Sequence, residues 1–446
     1  MNISQEFDTI AAISTPIGTG GVGIVRISGD NSFEIAKKIS HKNNLPPGKI
    51  CHGWIYDNNK KIDEVIILPF KAPHSYTGED VVEIQCHGGI HVIQNILDAV
   101  LQNGARMAER GEFTKRAFLN KRMDLSQAEA VDDLIHSKTS DFAIYSAKNL
   151  SGSLALKIKD LREQIFTVAS RIVAGIDFPE DVPEPEYTYL TENFENEILQ
   201  IDKILSGAKS SDILRQGIKV AIVGRPNVGK SSLFNALLNL NRAIVTDIAG
   251  TTRDVIKENI DMGIPVTLID TAGIRETQSV DKVEEIGIEY SKQSAQEADL
   301  ILFMYDSSQG YTPEDKKIYE IIKDKKHIVI ANKVDLASNT TKEVPALKLS
   351  ALTNEGLEEL KTKIKTEVLD LPIDELEYVT NKRQQTCLLR CRESLNRALQ
   401  AAQINELQDM IYIDLKSALL ALDEITGEVI TDDILNNIFD HFCIGK

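Results

Sequence analysis

Between Thr9 and Leu101, short runs rich in β-branched residues (Thr9 to Ile13, Gly23 to Ile27, Val65 to Phe70, Val81 to Gln85) alternate with helical spacing near Asn31 to Ile39 and Ile90 to Leu101. This pattern predicts a compact α+β unit over residues 1–119. From Ser126 the helical period takes over: Ser126-Gln127-Ala128-Glu129 has capping-box spacing, and periodicity runs to about Gly175. The acidic, proline-bearing stretch Asp177 to Glu186 breaks it, and another helix fits Leu190 to Leu205. Strand and helix patterns then alternate from Gln216 to Leu371, helix resumes from Thr380 to Asp423, and a last helix starts at Thr431 with Ile434, Leu435, Ile438, Phe439 and Phe442 on one face. Helical segments flanking a self-contained α/β block imply insertion, because domain termini usually lie close together. The expected fold is multidomain α/β: an N-terminal α+β domain (1–119), a discontinuous all-α helical domain (120–215 and 373–446) and an inserted phosphate-loop domain (216–372).

The inserted block carries the clearest chemistry. Gly224-Arg225-Pro226-Asn227-Val228-Gly229-Lys230-Ser231 is a complete G-x-x-x-x-G-K-[ST] phosphate loop, between the strand pattern Ile218 to Val223 and the helical pattern Ser232 to Leu238. Glycines let backbone N–H groups converge on phosphate oxygens, the lysine reaches the outer phosphates and the serine hydroxyl ligates Mg²⁺. Asp270-Thr271-Ala272-Gly273 ends the apolar run Ile264 to Ile269; its aspartate can hold Mg²⁺ through water and its glycine can face the γ-phosphate. Asn332-Lys333-Val334-Asp335 ends another strand, Ile328 to Ala331, and the Asp335 carboxylate suits the paired N–H donors of guanine. Ser350-Ala351-Leu352 fits the accessory base-contacting loop. The four segments in this order predict a Ras-like G domain binding GTP.

Composition adds limits. The 446-residue chain is 42% hydrophobic, enough for about three domains, and no apolar stretch approaches the roughly 18 residues of a membrane span. The acidic start predicts no secretion signal and a cytoplasmic home, and five cysteines read as thiols. A net charge of −17 argues against a nucleic-acid-coated protein, although Arg106, Arg110, Lys115, Arg116, Lys121 and Arg122 offer either a local basic surface or a solvated helix face. Gly18 to Gly23 matches a dinucleotide glycine pattern, but strand rather than helix follows it. Cys86, His87 and His91 lack the second ligand pair that a metal site needs.

Many small GTPases place a water-orienting glutamine directly after the Asp-x-x-Gly motif. Here that position is Ile274, so something else must position the water; the segment Val280 to Gly287 offers acids, and Asn227 is a suitable ligand for a monovalent cation supplying the charge of an arginine finger.

Thr246 to Asp254 and Asp270 to Arg275 resemble a broad group of bacterial GTPases. The flanks are more specific. Asp8 to Pro16, Gly20 to Gly29, Tyr76-Thr77-Gly78-Glu79-Asp80, His87-Gly88-Gly89, Gly111 to Asn120 and Phe442-Cys443-Ile444-Gly445-Lys446 resemble the MnmE (TrmE) family of tRNA-modification GTPases. The resemblance implies a homodimer whose N-terminal, folate-binding domains hold a formyl- or methylene-tetrahydrofolate. With an FAD-dependent partner, MnmG, it would install an aminomethyl- or carboxymethylaminomethyl-type group on the wobble uridine of certain tRNAs. Carried over by motif, folate contacts fall on Arg26, Glu83, Arg122 and Lys446. GTP contacts fall on Asn227, Val228, Gly229, Lys230, Ser231 and Ser232, on Thr246, Asp247, Ile248, Ala249, Gly250, Thr251 and Thr252, on Asp270, Thr271, Ala272 and Gly273, on Asn332, Lys333 and Asp335, and on Ser350, Ala351 and Leu352. Mg²⁺ falls on Ser231 and Thr252, and K⁺ on Asn227, Thr246, Ile248 and Thr251. The water-positioning acid falls on Glu284, with Glu285 as the alternative, and Cys443 is implied in the modification chemistry. The rival reading, a GTPase switch in ribosome assembly, leaves the N-terminal domain and Cys443 without a role.

Overall fold

A computed structural model describes residues 8–240, 257–270, 296–336 and 345–446, and the chain divides into two compact units. The first comprises Met1–Asp132, Ala155–Lys159 and Leu422–Lys446; the second comprises Asp133–Leu154 and Asp160–Ala421.

In the first unit, strands β1 (Ile10–Ile13), β2 (Gly20–Ser28), β3 (Cys51–Asp57), β4 (Lys60–Phe70), β5 (Val81–Gly88) and β6 (Arg106–Met107) form a sheet in the order β3-β4-β5-β2-β1-β6. Neighbours run antiparallel except β1 and β6. Period-two alternation buries Val25 and Ile27 of β2 with Val82 and Ile84 of β5, against Ile93, Ile96 and Val100 of helix α2 (Ile90–Gln102) and Ile35 of helix α1 (Ser32–Ser40). Arg26 and Glu83, the intervening residues, therefore face the other side, directly opposite each other in register. Near Arg106 to Arg122 the charge is divided: Arg110, Lys121 and Arg122 are exposed, whereas Arg106 and Arg116 are held in ion pairs. Arg116, 3% exposed on helix α3 (Glu112–Leu119), is ion-paired to Glu112, Glu79 and Asp8, and Arg106 pairs with Asp8 and Glu112.

Helix α4 (Leu125–Ile135) is capped two residues before the predicted box. Asp124 Oδ1 accepts from the Gln127 amide and Gln127 Oε1 accepts from the Asp124 amide, so Ser126 sits inside the helix. Helices α5 (Ser140–Leu150), α6 (Ser153–Asp177), α7 (Tyr187–Leu205) and α8 (Ala208–Gln216) follow.

The second unit holds strands β7 (Ile218–Gly224), β8 (Lys257–Asp261), β9 (Pro265–Asp270), β10 (Leu300–Asp306), β11 (His327–Asn332) and β12 (Leu347–Lys348) in the order β12-β11-β10-β7-β9-β8. All pairs are parallel except β8 with β9. Every residue of β10 is buried, as expected for a strand covered on both faces. Leu302 and Ile330 pack with Leu233 of helix α9 (Lys230–Leu240) and Leu360 of helix α11 (Leu357–Val368). Phe303 and Val329 pack with Ile318 and Ile322 of helix α10 (Pro313–Ile322) on the other face. This doubly wound sheet places ligand sites at the carboxyl ends of β7, β10 and β11.

Helix α12 (Lys382–Gln403) packs along α7. The continuous helix expected to Asp423 is broken: Asn405 takes φ 53°, and helix α13 (Gln408–Thr426) starts afresh. The last helix, α14 (Asp432–Phe439), stops short of Phe442, which is buried beyond it, while Ile434 on the predicted apolar face is exposed.

Candidate functional site

The phosphate loop leaves β7 at Gly224 and enters α9 at Lys230. Asn227 and Gly229 adopt φ of 63° and 101°, left-handed conformations that turn successive amides into one concave nest. Packing fixes two glycines independently of conformation: a Cβ at Gly224 would lie 2.3 Å from the Met304 carbonyl oxygen, and one at Gly229 would lie 2.3 Å from Asn332 Nδ2. Lys230 Nζ donates to the Gly224 and Arg225 carbonyls at 2.9 and 2.8 Å, curling over the loop. Ser231 and Ser232 are exposed in the first turn of α9. Arg225 anchors the loop from outside, its Nε 2.7 Å from Asp315 Oδ1.

The segments Asn332 to Asp335 and Ser350 to Leu352 meet the loop directly. Asn332, 2% exposed, donates from Nδ2 to the Val228 carbonyl at 2.8 Å, and its Oδ1 accepts from the Ala351 amide at 3.1 Å. One side chain thus ties the phosphate loop to Ser350-Ala351-Leu352. Lys333 Nζ donates to the Asn227 carbonyl at 2.8 Å. Asp335 is exposed in the turn after β11, Ser350 is buried and Leu352 is 83% exposed. The backbone of Asp270 ends β9 opposite Ile222 of β7, next to the loop. Thr246 to Thr252, Thr271 to Gly273, Glu284 and Glu285 lie outside the described residues. The amide nest, the Lys230 ammonium and the exposed Ser231 hydroxyl fit a nucleoside triphosphate with Mg²⁺.

A second constellation lies in the first unit. Arg26 Nε and Glu83 Oε1 are 2.9 Å apart, the side chains 12% and 17% exposed. Both line a cleft of about 520 Å³ together with Tyr76, Ser75, His74 and Arg122. The guanidinium carbons of Arg26 and Arg122 lie 4.8 and 5.3 Å from the Tyr76 ring centroid, and the Tyr76 hydroxyl meets Thr114 Oγ1 at 2.9 Å. Lys446 is half-buried, and burial followed by the nearby Arg26 charge lowers its ammonium below the usual lysine range.

The terminal segment is threaded into this unit. The Gly445 carbonyl accepts from Arg26 Nη1 at 3.4 Å and from Ser14 Oγ at 3.1 Å, and the Lys446 carbonyl accepts from the Phe113 amide at 3.2 Å. Cys443 is exposed. Arg26, Glu83 and Arg122 are therefore brought to one cleft, with Lys446 beside Arg26. Two guanidinium groups, a carboxylate and an aromatic ring fit a flat ligand carrying both N–H donors and an anionic tail. Tyr76 was missed as a site residue, although its motif Tyr76-Thr77-Gly78-Glu79-Asp80 is plain in the sequence.

Two family profiles cover most of the chain: "GTP-binding protein TrmE N-terminus" matches residues 9–122 and "MnmE helical domain" matches residues 125–443. A tRNA modification GTPase MnmE of Caldicellulosiruptor saccharolyticus is 46% identical over 459 residues, spanning 99% of this chain and 100% of that protein. Those of Clostridioides difficile and Aquifex aeolicus are 46% and 45% identical over 458 and 448 residues, each spanning 98% of this chain and 99% and 100% of the relative.

Proposed function

Because the chain belongs to the MnmE family of tRNA modification GTPases, we propose that it hydrolyses GTP to GDP and phosphate in the course of modifying tRNA. The best support for this reading is the pairing, in one chain, of the Asn332-clamped phosphate loop with the Arg26–Glu83 cleft. A ribosome-assembly switch has no use for the second.

At the nucleotide, amides of Asn227 to Lys230 and the Lys230 ammonium hold the phosphates while Asp335 accepts guanine's N–H donors. Ser231 and Thr252 hold Mg²⁺, and Asn227, Thr246, Ile248 and Thr251 hold K⁺; these ions supply positive charge where it offsets the charge of the transferring phosphoryl group. Glu284, or Glu285, orients the attacking water in place of the glutamine that Ile274 replaces.

In the cleft, Glu83 accepts from the pterin's N–H donors, and Arg26, Arg122 and Lys446 hold the ligand's anionic portion. A formyl- or methylene-tetrahydrofolate bound there supplies a one-carbon unit. We assign residues 1–119 to folate binding and homodimer formation, 216–372 to GTP, and 120–215 with 373–446 to the helical domain. An FAD-dependent partner, MnmG in the family, completes the wobble-uridine modification.

The test is mass spectrometry of wobble uridines from a deletion strain carrying wild-type protein, Asp335→Asn or Cys443→Ser. Wild type should restore the modified nucleoside and Asp335→Asn should fail to at cellular GTP. Cys443→Ser should fail while retaining GTP turnover. Wobble uridines left unchanged by the deletion would overturn the reading.

A further inference from the structure

Asp306, the last residue of β10, belongs to none of the nucleotide motifs, yet it sits behind them. Its side chain is 3% exposed; Oδ2 is 2.7 Å from Lys333 Nζ, and Oδ1 accepts from the Ser308 amide at 2.9 Å and from Ser308 Oγ at 2.6 Å. Burial opposes its ionisation, but the hydrogen bonds from Lys333 and Ser308 outweigh burial and hold the carboxyl below the usual carboxylate range. The same Lys333 ammonium donates to the Asn227 carbonyl at 2.8 Å. Asn227 and Lys333 are both non-glycine residues in left-handed backbone, with φ of 63° and 64°. Such backbone is disfavoured for a side chain, above all for Lys333, and persists only where its surroundings hold it. A continuous chain of charge-assisted bonds, from Ser308 through Asp306 and Lys333 to Asn227, supplies that hold.

We infer that Asp306 is a positioning residue for nucleotide binding, keeping the Lys333 ammonium on the Asn227 carbonyl so that the phosphate loop and the guanine-reading turn form one preorganised unit. The inference rests on the guanine-nucleotide reading of this site. Without Asp306's charge, Lys333 is free to leave the Asn227 carbonyl, and the nucleotide must then order the loop at its own expense. GTP and GDP both span the loop and the base-reading turn, so both lose affinity alike. Discrimination between guanine and xanthine, which lies with Asp335, is untouched.

The experiment measures affinity and dissociation rate of fluorescent GDP and GTP analogues for the full-length wild type, Asp306→Asn, Lys333→Met and the double variant. Asp306→Asn should weaken both nucleotides by about tenfold, the size expected for one charge-assisted hydrogen bond, mainly through faster dissociation. The double variant should bind no more weakly than Lys333→Met alone. Additive losses would overturn the inference, as would unchanged affinity accompanied only by a lower melting midpoint. Should Asp306→Asn not fold, Ser308→Ala should give a two- to threefold loss in the same direction, and no loss would overturn it. A wild type that binds no guanine nucleotide would instead remove the reading beneath it.

Discussion

Asn332 and Val228 meet across 2.8 Å, the side-chain amide of the one donating to the main-chain carbonyl of the other. The turn after β11 and the phosphate loop are thereby remote in sequence but mechanically joined. Asn332→Asp sets a carboxylate oxygen against the Val228 carbonyl in place of a donor, and a buried repulsive pair of this kind costs roughly 1–3 kcal/mol or more. GDP and GTP affinities should both fall by at least tenfold in equilibrium titrations. Retention of wild-type affinity would show the clamp to be dispensable.

The exposed Asn227 in the loop and Ile274 in the water-orienting position together predict that hydrolysis needs K⁺. Turnover should rise with KCl and not with NaCl at matched ionic strength, and Asn227→Ala should lose the difference. Glu284→Ala should retain GTP binding while slowing hydrolysis by about 10²-fold or more. Equal rates in the two salts would refute the cation's role, and a normal rate for Glu284→Ala would move the assignment to Glu285.

In the first unit, the Arg26–Glu83 pair should be read out by reduced folate. Glu83→Gln keeps the shape but loses the charge that both Arg26 and a ligand N–H would meet, so calorimetry with 5-formyltetrahydrofolate should show about a tenfold or greater loss. GTP affinity serves as the control for folding. An unaffected folate isotherm would detach Glu83 from that site.

A fourth expectation concerns stability. Glu197 of α7 is 1% exposed, neither carboxyl oxygen has a hydrogen-bond partner among the described residues, and burial raises its pKa to about 8 from 4.5. The native state thus binds the proton more tightly than the unfolded state. The associated stabilisation is complete below pH 4.5 and is lost as pH rises through about 8. Chemical denaturation between pH 5 and 9 should show Glu197→Gln losing less stability with rising pH than wild type. Parallel pH profiles for the two would contradict the burial of an uncompensated acid.

The phosphate loop and the strands around it were legible because their pattern is local. Each motif is a contiguous turn after an apolar strand, and residues 218–224, 265–270 and 327–332 form the strands that the pattern implies. Longer-range features were not. Only Ile55 is fully buried in β3, an outer strand whose weak alternation conceals it. Asp124 displaced the predicted cap because an earlier side chain with the same geometry was available. The break at Asn405 has no glycine or proline to announce it, and Asp306 enters the site only through parallel pairing of β10 with β11. The Arg26–Glu83 ion pair depends on strand register that no local pattern encodes, and only the family resemblance brought those residues together on paper.

The bond from Ser14 to the Gly445 carbonyl spans 431 positions of sequence, which bears on how the molecule is made. A ribosome adding about 5–20 residues per second takes roughly 20–90 s to travel between the two. During that interval the first sheet has emerged without the segment that closes over Ile13 and Arg26. The early-made unit must therefore wait in an unfinished form until Gly445 has been added, and its exposure to chaperones and proteases is set by elongation speed as much as by its own folding rate.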